Sequence, residues 1–492
     1  MSERFIKSNF FNRIGESAVP FLTWVIITFP LWFSPFHPAI VAYFIILFDL
    51  YFLYKSLLTA YYATVSYLKI IQHEKIPYFK KIANNKKSQE IQHFIIIPNY
   101  KEPLNKIEST IESIVKNDYP YQNLFLIMAF EKREEEAIEK ANYFQAKYQS
   151  KFKDIITSYH ILETNEEPGK ASNQTFAARA VDEYVQKNNF PEKNVLITIC
   201  DADSLLPKNY FSYVTYEYLK DKEGAYHFYW APVLLYNNFA KLPFFVRMQA
   251  TLSSLLRLAF LSQTNSLIQI STYTTNLWLL KQIDFWDVDI IPEDWHVFFQ
   301  AFFTFGEKIK TIPLYTIING DAVYSGSLLK TLKNRYEQEK RWAWGVSDMG
   351  YAWRKLFTTP HIPLLPKLKR IIFLAETHLL WPTSFFILTI SASVPPLINP
   401  VFKRTVLGFL LPNLSGLILT IASAMLVLYI YLDIQLRKKV DIKTRPINVP
   451  FLLIQWYLLP VISFALSSLP ALEAHTRLLL GKKITYKVTE KV

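Results

Sequence analysis

Asp201-Ala202-Asp203 follows Val195-Leu196-Ile197-Thr198-Ile199-Cys200, an apolar run that reads as a buried strand, and precedes a turn at Pro207. Carboxylates at i and i+2 at the end of an extended segment point to one side. There a hard divalent cation, Mg²⁺ or Mn²⁺, and the oxygens of a diphosphate can share them. A charged loop after a strand has the same sequence, so the pair takes its meaning from the groups that accompany it.

Three further groups do so. Pro168-Gly169-Lys170 opens a helical run in which Gly169 permits a tight turn, and Lys170 stands where backbone N–H groups and a cation meet phosphate. The spacing is not that of a P-loop, and a turn with a solvated lysine is the plain alternative. Glu293-Asp294 precedes Trp295 and an apolar run to Phe305; such a carboxylate serves either as a helix cap or as a general base for an acceptor hydroxyl. Gln338, Arg341 and Trp342, at i, i+3 and i+4, share a helix face suited to a pyrophosphate and a sugar ring, or to lipid headgroups. His296 has no Cys or His at metal-ligand spacing and reads as structural, as does the one cysteine, Cys200.

The elements that must position these groups alternate. Strands are expected at Ile91–Pro98, Leu124–Phe130, Ile155–Leu162 and Val195–Cys200, with helices at Ile107–Lys116, Glu134–Tyr148 and Ala171–Lys187 between them. That rhythm predicts an α/β domain with a doubly wound, mostly parallel sheet, in which ligands bind at the carboxyl ends of the strands. Asn99, Tyr100, Glu102, Glu131, Asp201 and Asp203 all fall at those ends.

Composition adds a membrane. Of 492 residues, 51% are hydrophobic and 16% aromatic with only 11 glycines, too apolar for an ordinary soluble enzyme. No charge occurs in Ala18–Phe36, Thr405–Leu432 or Ile447–Leu472; Pro38–Tyr54 is broken only by Asp49, and Ile371–Val394 carries Glu376 and His378. Each is long enough for a hydrocarbon core that takes ~20 apolar residues. Arg4, Lys7 and Arg13 before the first span, and Arg437, Lys438, Lys439, Lys443 and Arg445 after the fourth, set the N-terminus and the globular domain on the cytoplasmic side of the plasma or inner membrane. The net charge of +13 suits anionic lipid, and neither zinc spacing nor a basic run with interleaved aromatics points to nucleic acid.

Taken in order, Asn99-Tyr100-Lys101-Glu102, Pro168 to Asn173, Asp201 to Asp203, Glu293-Asp294 and Gln338 to Trp342 resemble the membrane-embedded family 2 glycosyltransferases, the group of cellulose, chitin and hyaluronan synthases. The resemblance implies a cytoplasmic GT-A fold between membrane helices and a nucleotide-diphosphate sugar as donor, UDP-linked first among them. It places Tyr100, Glu102, Glu131 and Lys170 by the donor, Asp203 on the metal with Asp201 supporting the diphosphate-sugar and sharing the metal, Asp294 or Glu293 as base, and Gln338, Arg341 and Trp342 at the diphosphate and the acceptor end. The chain departs from the family at Glu131, where an aspartate is usual, and at Pro292, where threonine is frequent. Tyr486 to Lys491 resembles the gating loop of cellulose synthases, in which Thr489 and Lys491 would approach the diphosphate.

The expected plan is two membrane helices (1–62), a GT-A domain (63–345), an interfacial region (346–370), membrane and re-entrant helices (371–472) and a basic cytoplasmic tail (473–492). Pro450, Pro460 and Pro470 predict a hairpin of two pieces each too short to span, which returns the tail to the cytoplasm. The expected reaction is inverting transfer of a sugar to a glycan or lipid-linked acceptor, single or processive. A two-carboxylate hydrolase would leave the cations without purpose. A transport-type or non-catalytic membrane protein with a nucleotide-binding domain is the rival, with Asp49, Glu376 and His378 as its intramembrane sites.

Overall fold

Central strands that are apolar at every position must be covered on both faces, and β-branched Ile and Val favour that setting. Phe94 to Ile97 and Phe125 to Phe130 are all fully buried, and they sit in the middle of the fold that the computed structural model describes for residues 8–440, 442 and 456–485. The chain forms two compact units, one of residues up to Thr64 with Leu242–Ala259 and Gly326–Thr485, the other of Val65–Lys241 with Phe260–Ser325.

The second unit holds β1 (Gln92–Asn99), β2 (Leu124–Glu131), β3 (Asp154–His160), β4 (Val195–Ile199), β5 (His227–Trp230), β6 (Val233–Leu234), β7 (Tyr273–Asn276), β8 (Lys310–Pro313) and β9 (Ile318–Asn319). Seven of them form one sheet in the order β3-β2-β1-β4-β7-β5-β8, and β6 pairs with β9. β1 to β4 are parallel as the alternation predicts; β7 runs antiparallel to both β4 and β5. A short polar strand of Tyr, Thr, Thr and Asn carries no apolar signal, and its pairing is fixed instead by long-range partners: the Thr274 hydroxyl lies 2.8 Å from that of Thr198 and 3.0 Å from that of Tyr210. The helix Leu104–Val115 buries Ile107, Ile111 and Ile114 at i, i+4 and i+7 in the core with Ile95 and Ile97. The helix Lys170–Lys187 packs on β1, β2 and β3.

The first unit is helical. Asn9–Phe33, Pro38–His73, Leu364–Thr389 and Val406–Lys439 are long and apolar enough to cross a membrane, as four of the charge-poor stretches predict. A fifth such helix, Phe244–Leu261, was hidden from that criterion by Arg247 and Arg257. It explains why the expected limits 63–345 differ from the observed division, since Leu242–Ala259 and the residues from Gly326 onward pack in the helical unit. Asp49 is fully buried and accepts a 2.6 Å hydrogen bond from the Ser415 hydroxyl. Glu376 pairs with Lys55 at 2.5 Å and accepts from the Tyr51 hydroxyl.

One expectation needs correction. The chain does not break at Pro470: Leu459–Ser463, a π-helical turn at Phe464–Ser468 and Leu469–Leu479 follow one another directly. Pro460 and Pro470 both sit in the first turn of their pieces, where a missing N–H is no loss, and the wider π turn makes room for the second ring. The first half of the expected hairpin, with Pro450, lies outside the described residues.

Candidate active site

Parallel register places Tyr100 beside Glu131, one step beyond the last pair, Asn99 with Phe130. Glu131 is buried, and its carboxylate is held by the Arg133 side chain, whose guanidinium lies 4.3 Å from the centre of the Tyr100 ring. Next to it Lys101 takes a left-handed backbone conformation (φ 59°), uncommon for a non-glycine residue. Buried Glu134 holds it there: one oxygen accepts the Lys101 N–H at 2.8 Å, the other pairs with Lys140 at 2.7 Å. Lys140 also donates to the Glu102 carbonyl at 2.9 Å, so the loop after β1 is pinned from both ends. Sequence reasoning passed over Glu134 and Lys140 because they stand in a charged helix and its approach, where charges are ordinary.

Asp201, Ala202 and Asp203 form a turn, with the Ser204 N–H donating to the Asp201 carbonyl at 2.9 Å. Strand alternation therefore does not orient the two carboxylates, and they have different partners. Asp203 accepts from the Asp321 N–H at 3.3 Å. The buried Asp321 carboxylate in turn pairs with Lys106 and accepts from the Asn237 amide at 2.7 Å.

Asp201 belongs to a denser cluster. The Lys170 ammonium lies 2.8 Å from Asp201 Oδ1, 3.2 Å from Glu293 Oε1 and 3.6 Å from Asp294 Oδ1, and donates to the Ser271 carbonyl at 3.0 Å. Lys170 is therefore not a solvated lysine, and Gly169 before it lies in a turn, as expected, with an extended backbone (φ 160°). Burial alone would lower the affinity of this lysine for its proton, but Asp201, Asp294 and Glu293 overcome it and hold the ammonium charged well above its usual range. For Asp294 the balance is the reverse. Burial pushes its carboxyl well above the ordinary carboxylate range; Lys170 and the Ser271 N–H pull down, while Glu293 and Asp201 add to the push.

Ser271 joins the cluster and went unnoticed in the sequence. The antiparallel register of β4 with β7 runs from Leu196 with Asn276 to Ile199 with Tyr273, and two places further it sets Ser271 opposite Asp201. Its hydroxyl donates to Asp201 Oδ2, its N–H donates to Asp294 Oδ2 at 2.6 Å, and its φ of 68° is a strained conformation for serine. Only the antiparallel strand makes this visible.

The helix Glu293–Phe305 begins after Pro292, so Asp294 lies inside its first turn rather than at the cap. His296 bonds Asp287 at 2.8 Å and Cys200 is buried, both as expected of structural residues. Among the described residues no group of three or more His, Cys, Asp or Glu side chains is arranged to hold a metal ion by itself. Gln338, Arg341 and Trp342 lie on the helix Leu328–Ala343 of the helical unit, and Thr489 and Lys491 lie outside the described residues.

Residues 196–432 match the family model described as glycosyl transferase family group 2. Among curated proteins none matches the sequence. Solved structures similar to this chain include the mannosyltransferase PcManGT from Pyrobaculum calidifontis in complex with GDP-Man and Mn²⁺ (14% identity, TM-score 0.45, 89% of this chain and 100% of that one). Another is S. aureus TarS 1–349 in complex with UDP-GlcNAc (13% identity, TM-score 0.32, 68% and 90%). A third is GalNAc-T7 with UDP, GalNAc and Mn²⁺ (12% identity, TM-score 0.34, 60% and 59%). The matched segment, just under half of the chain, runs from β4 through the acidic turn, Ser271 and the Glu293-Asp294 pair to the helices that follow, and over that segment the chain is similar to the glycosyltransferases of family group 2.

Proposed function

We propose that this enzyme transfers a sugar, with inversion, from a nucleoside diphosphate sugar to a hydroxyl of a glycan or lipid-linked acceptor at the cytoplasmic face of the plasma or inner membrane. The observation that carries the reading is Lys170, whose one ammonium ties Asp201 of the acidic turn to Glu293 and Asp294. Donor and base groups are thereby held within one side chain's reach of each other.

Asp294 is the base. One of its oxygens is fixed by the Ser271 N–H, while Oδ1 is buried with no hydrogen-bond partner among the described residues. The acceptor oxygen attacks the anomeric carbon, its proton passes to Asp294, and the bond from that carbon to the diphosphate oxygen breaks, so that the nucleoside diphosphate leaves with the electron pair. Lys170 remains charged throughout and offsets the negative field of three carboxylates.

Asp203 and Asp201, two carboxylates on one turn, would hold a divalent cation of the kind that binds one or two carboxylates and takes its remaining ligands from substrate phosphates and water. Mg²⁺ or Mn²⁺ bound there would neutralise charge on the departing diphosphate. Tyr100 and Glu131 stand at the neighbouring strand ends, where a uracil ring would stack and hydrogen-bond, and Glu102 lies on the same loop. A transport role draws less support, because Asp49 and Glu376 are partnered by Ser415 and Lys55 within the helical unit.

Purified protein in detergent, given Mg²⁺ or Mn²⁺, candidate acceptors and a panel of nucleotide sugars, is expected to release nucleoside diphosphate from at least one UDP-sugar. Release from none of the panel overturns the reading. Ser271→Ala keeps the backbone N–H to Asp294 but deletes the hydroxyl on Asp201; a hydrogen bond to a charged group is worth roughly 1.5–3 kcal/mol, so kcat/KM is expected to fall by about tenfold or more in a protein that still folds, with Tm lowered by a few degrees. Wild-type kcat/KM in that variant would show the hydroxyl to be idle.

A further inference from the structure

The helix Pro38–His73 is longer than a membrane requires. At 1.5 Å per residue its 36 residues span about 54 Å, against ~40–45 Å for a bilayer with its headgroups, so its last turns project about 10 Å beyond the surface. The chain then stays close to that end. Turn follows turn, with the Ile76 N–H on the His73 carbonyl at 3.1 Å, Ala83 on Phe79 at 2.9 Å and Asn85 on Ile82 at 2.9 Å, and the short helices Tyr78–Ile82 and Lys86–Glu90 form along the way.

This neck carries five lysines, Lys75, Lys80, Lys81, Lys86 and Lys87, against two carboxylates, Glu74 and Glu90. All five lysines are exposed, and none forms an ion pair among the described residues; Lys81 lies 5.3 Å from the centre of the Tyr216 ring. Lysines elsewhere in this unit do find carboxylates, as Lys140 finds Glu134 at 2.7 Å and Lys281 finds Asp182 at 2.9 Å. The five are held in place from beneath. Tyr78 is buried, its ring stacks on that of Tyr213 at 4.0 Å, and its hydroxyl lies 2.6 Å from His73 Nδ1. Ile82 joins the same core, and the buried Ser88 hydroxyl donates to the Ile82 carbonyl at 2.6 Å. Like charges on so short and fixed a stretch repel one another, and a negative surface is what offsets them.

We propose that the neck of residues 74–90 docks on the anionic headgroups of the leaflet that the helix Pro38–His73 has just left. Charge and distance both suit that partner. The negative potential of a cytoplasmic leaflet falls off within a Debye length of about 8–10 Å, which is close to the projection of the helix, and a tilt of ~20° or more brings the neck nearer. Each lysine near such a surface favours contact by roughly fivefold. The inference rests on the cytoplasmic placement proposed above, because the cytoplasmic leaflet is the anionic one.

The test uses the full chain with Ala83→Cys, an exposed position of the neck, in a Cys200→Ser background. A fluorophore on that thiol, in nanodiscs doped with nitroxide-headgroup lipid, is expected to be quenched at least about twofold more with phosphatidylglycerol in the disc than with phosphatidylcholine alone. The excess should vanish in about 1 M salt, where the Debye length is ~3 Å, and when all five lysines are replaced by Gln. These lysines precede the amino end of β1, whereas the candidate active site lies at the carboxyl ends of the strands, so the Gln variant is expected to keep its parent's kcat/KM in detergent. Equal quenching in the two discs, which is what an acidic protein partner would leave, or an excess that survives the Gln substitutions, overturns the proposal. If the Gln variant does not fold, the salt arm decides alone, and an excess indifferent to salt overturns it. Treating intact cells with a membrane-impermeant maleimide locates the failure: label on Ala83→Cys overturns the cytoplasmic placement and the docking with it, whereas no label together with equal quenching overturns the docking alone.

Discussion

Asp294→Asn is expected to bind nucleotide sugar with unchanged affinity and to lose transfer by at least ~100-fold, the usual worth of a general base. The substitution is close to silent for the fold. Asp294 does not cap its helix; its Oδ2 accepts the Ser271 N–H at 2.6 Å, which an asparagine oxygen accepts equally well, and Lys170, 3.6 Å from Oδ1, keeps its nearer partners Asp201 and Glu293. What is lost is the capacity to take a proton. A second signature follows from the surroundings of this carboxyl, which burial raises well above the ordinary carboxylate range against the pull of Lys170. A base works when deprotonated, so the acid limb of the pH profile of kcat/KM is expected above the ordinary aspartate value of about 4, with activity falling as the pH drops through it. The limb should vanish from whatever residual activity Asp294→Asn retains. Transfer that persists in the variant would shift the assignment to Glu293, whose carboxylate lies 3.2 Å from the same lysine.

Much of this arrangement was legible in the sequence because it depends on local pattern. Four strands announce themselves as apolar runs, four of the long helices as charge-poor stretches, and the groups at the strand ends as polar residues that interrupt both. The rest depends on pairings between distant residues. Ser271 is one serine among many until the antiparallel pairing of β7 with β4 sets it opposite Asp201. Asp321 and Lys106 lie 215 positions apart and meet only in the folded chain, beneath the turn that holds Asp203. Proline misled in the other direction. Pro470 reads as a break, yet a π-helical turn before it absorbs the ring and the helix goes on.

Asp203→Asn is the cleaner of the two tests of the acidic turn, because the same change at Asp201 would also disturb Lys170 and Ser271. In the structure Asp203 accepts from the Asp321 N–H, a contact that asparagine preserves, so the fold and the Tm are expected to stay as they are. A divalent cation that draws only one or two ligands from the protein and the rest from phosphate and water depends strongly on each carboxylate charge. Stabilisation of the departing diphosphate by such a cation is worth several kcal/mol, and every 1.36 kcal/mol is tenfold in rate, so transfer is expected to fall by at least ~100-fold. Two further measurements bear on the cause rather than the size of the loss. Excess chelator should abolish wild-type transfer and Mn²⁺ restore it, and titration of Mn²⁺ in the presence of nucleoside diphosphate, followed by its paramagnetic resonance, should show tight binding by the wild type and weak binding by the variant. Full activity of Asp203→Asn, or equal wild-type activity with and without chelator, would remove the metal from the reaction and leave Lys170, with the Lys106 held by Asp321 beside the turn, as the cations at the diphosphate.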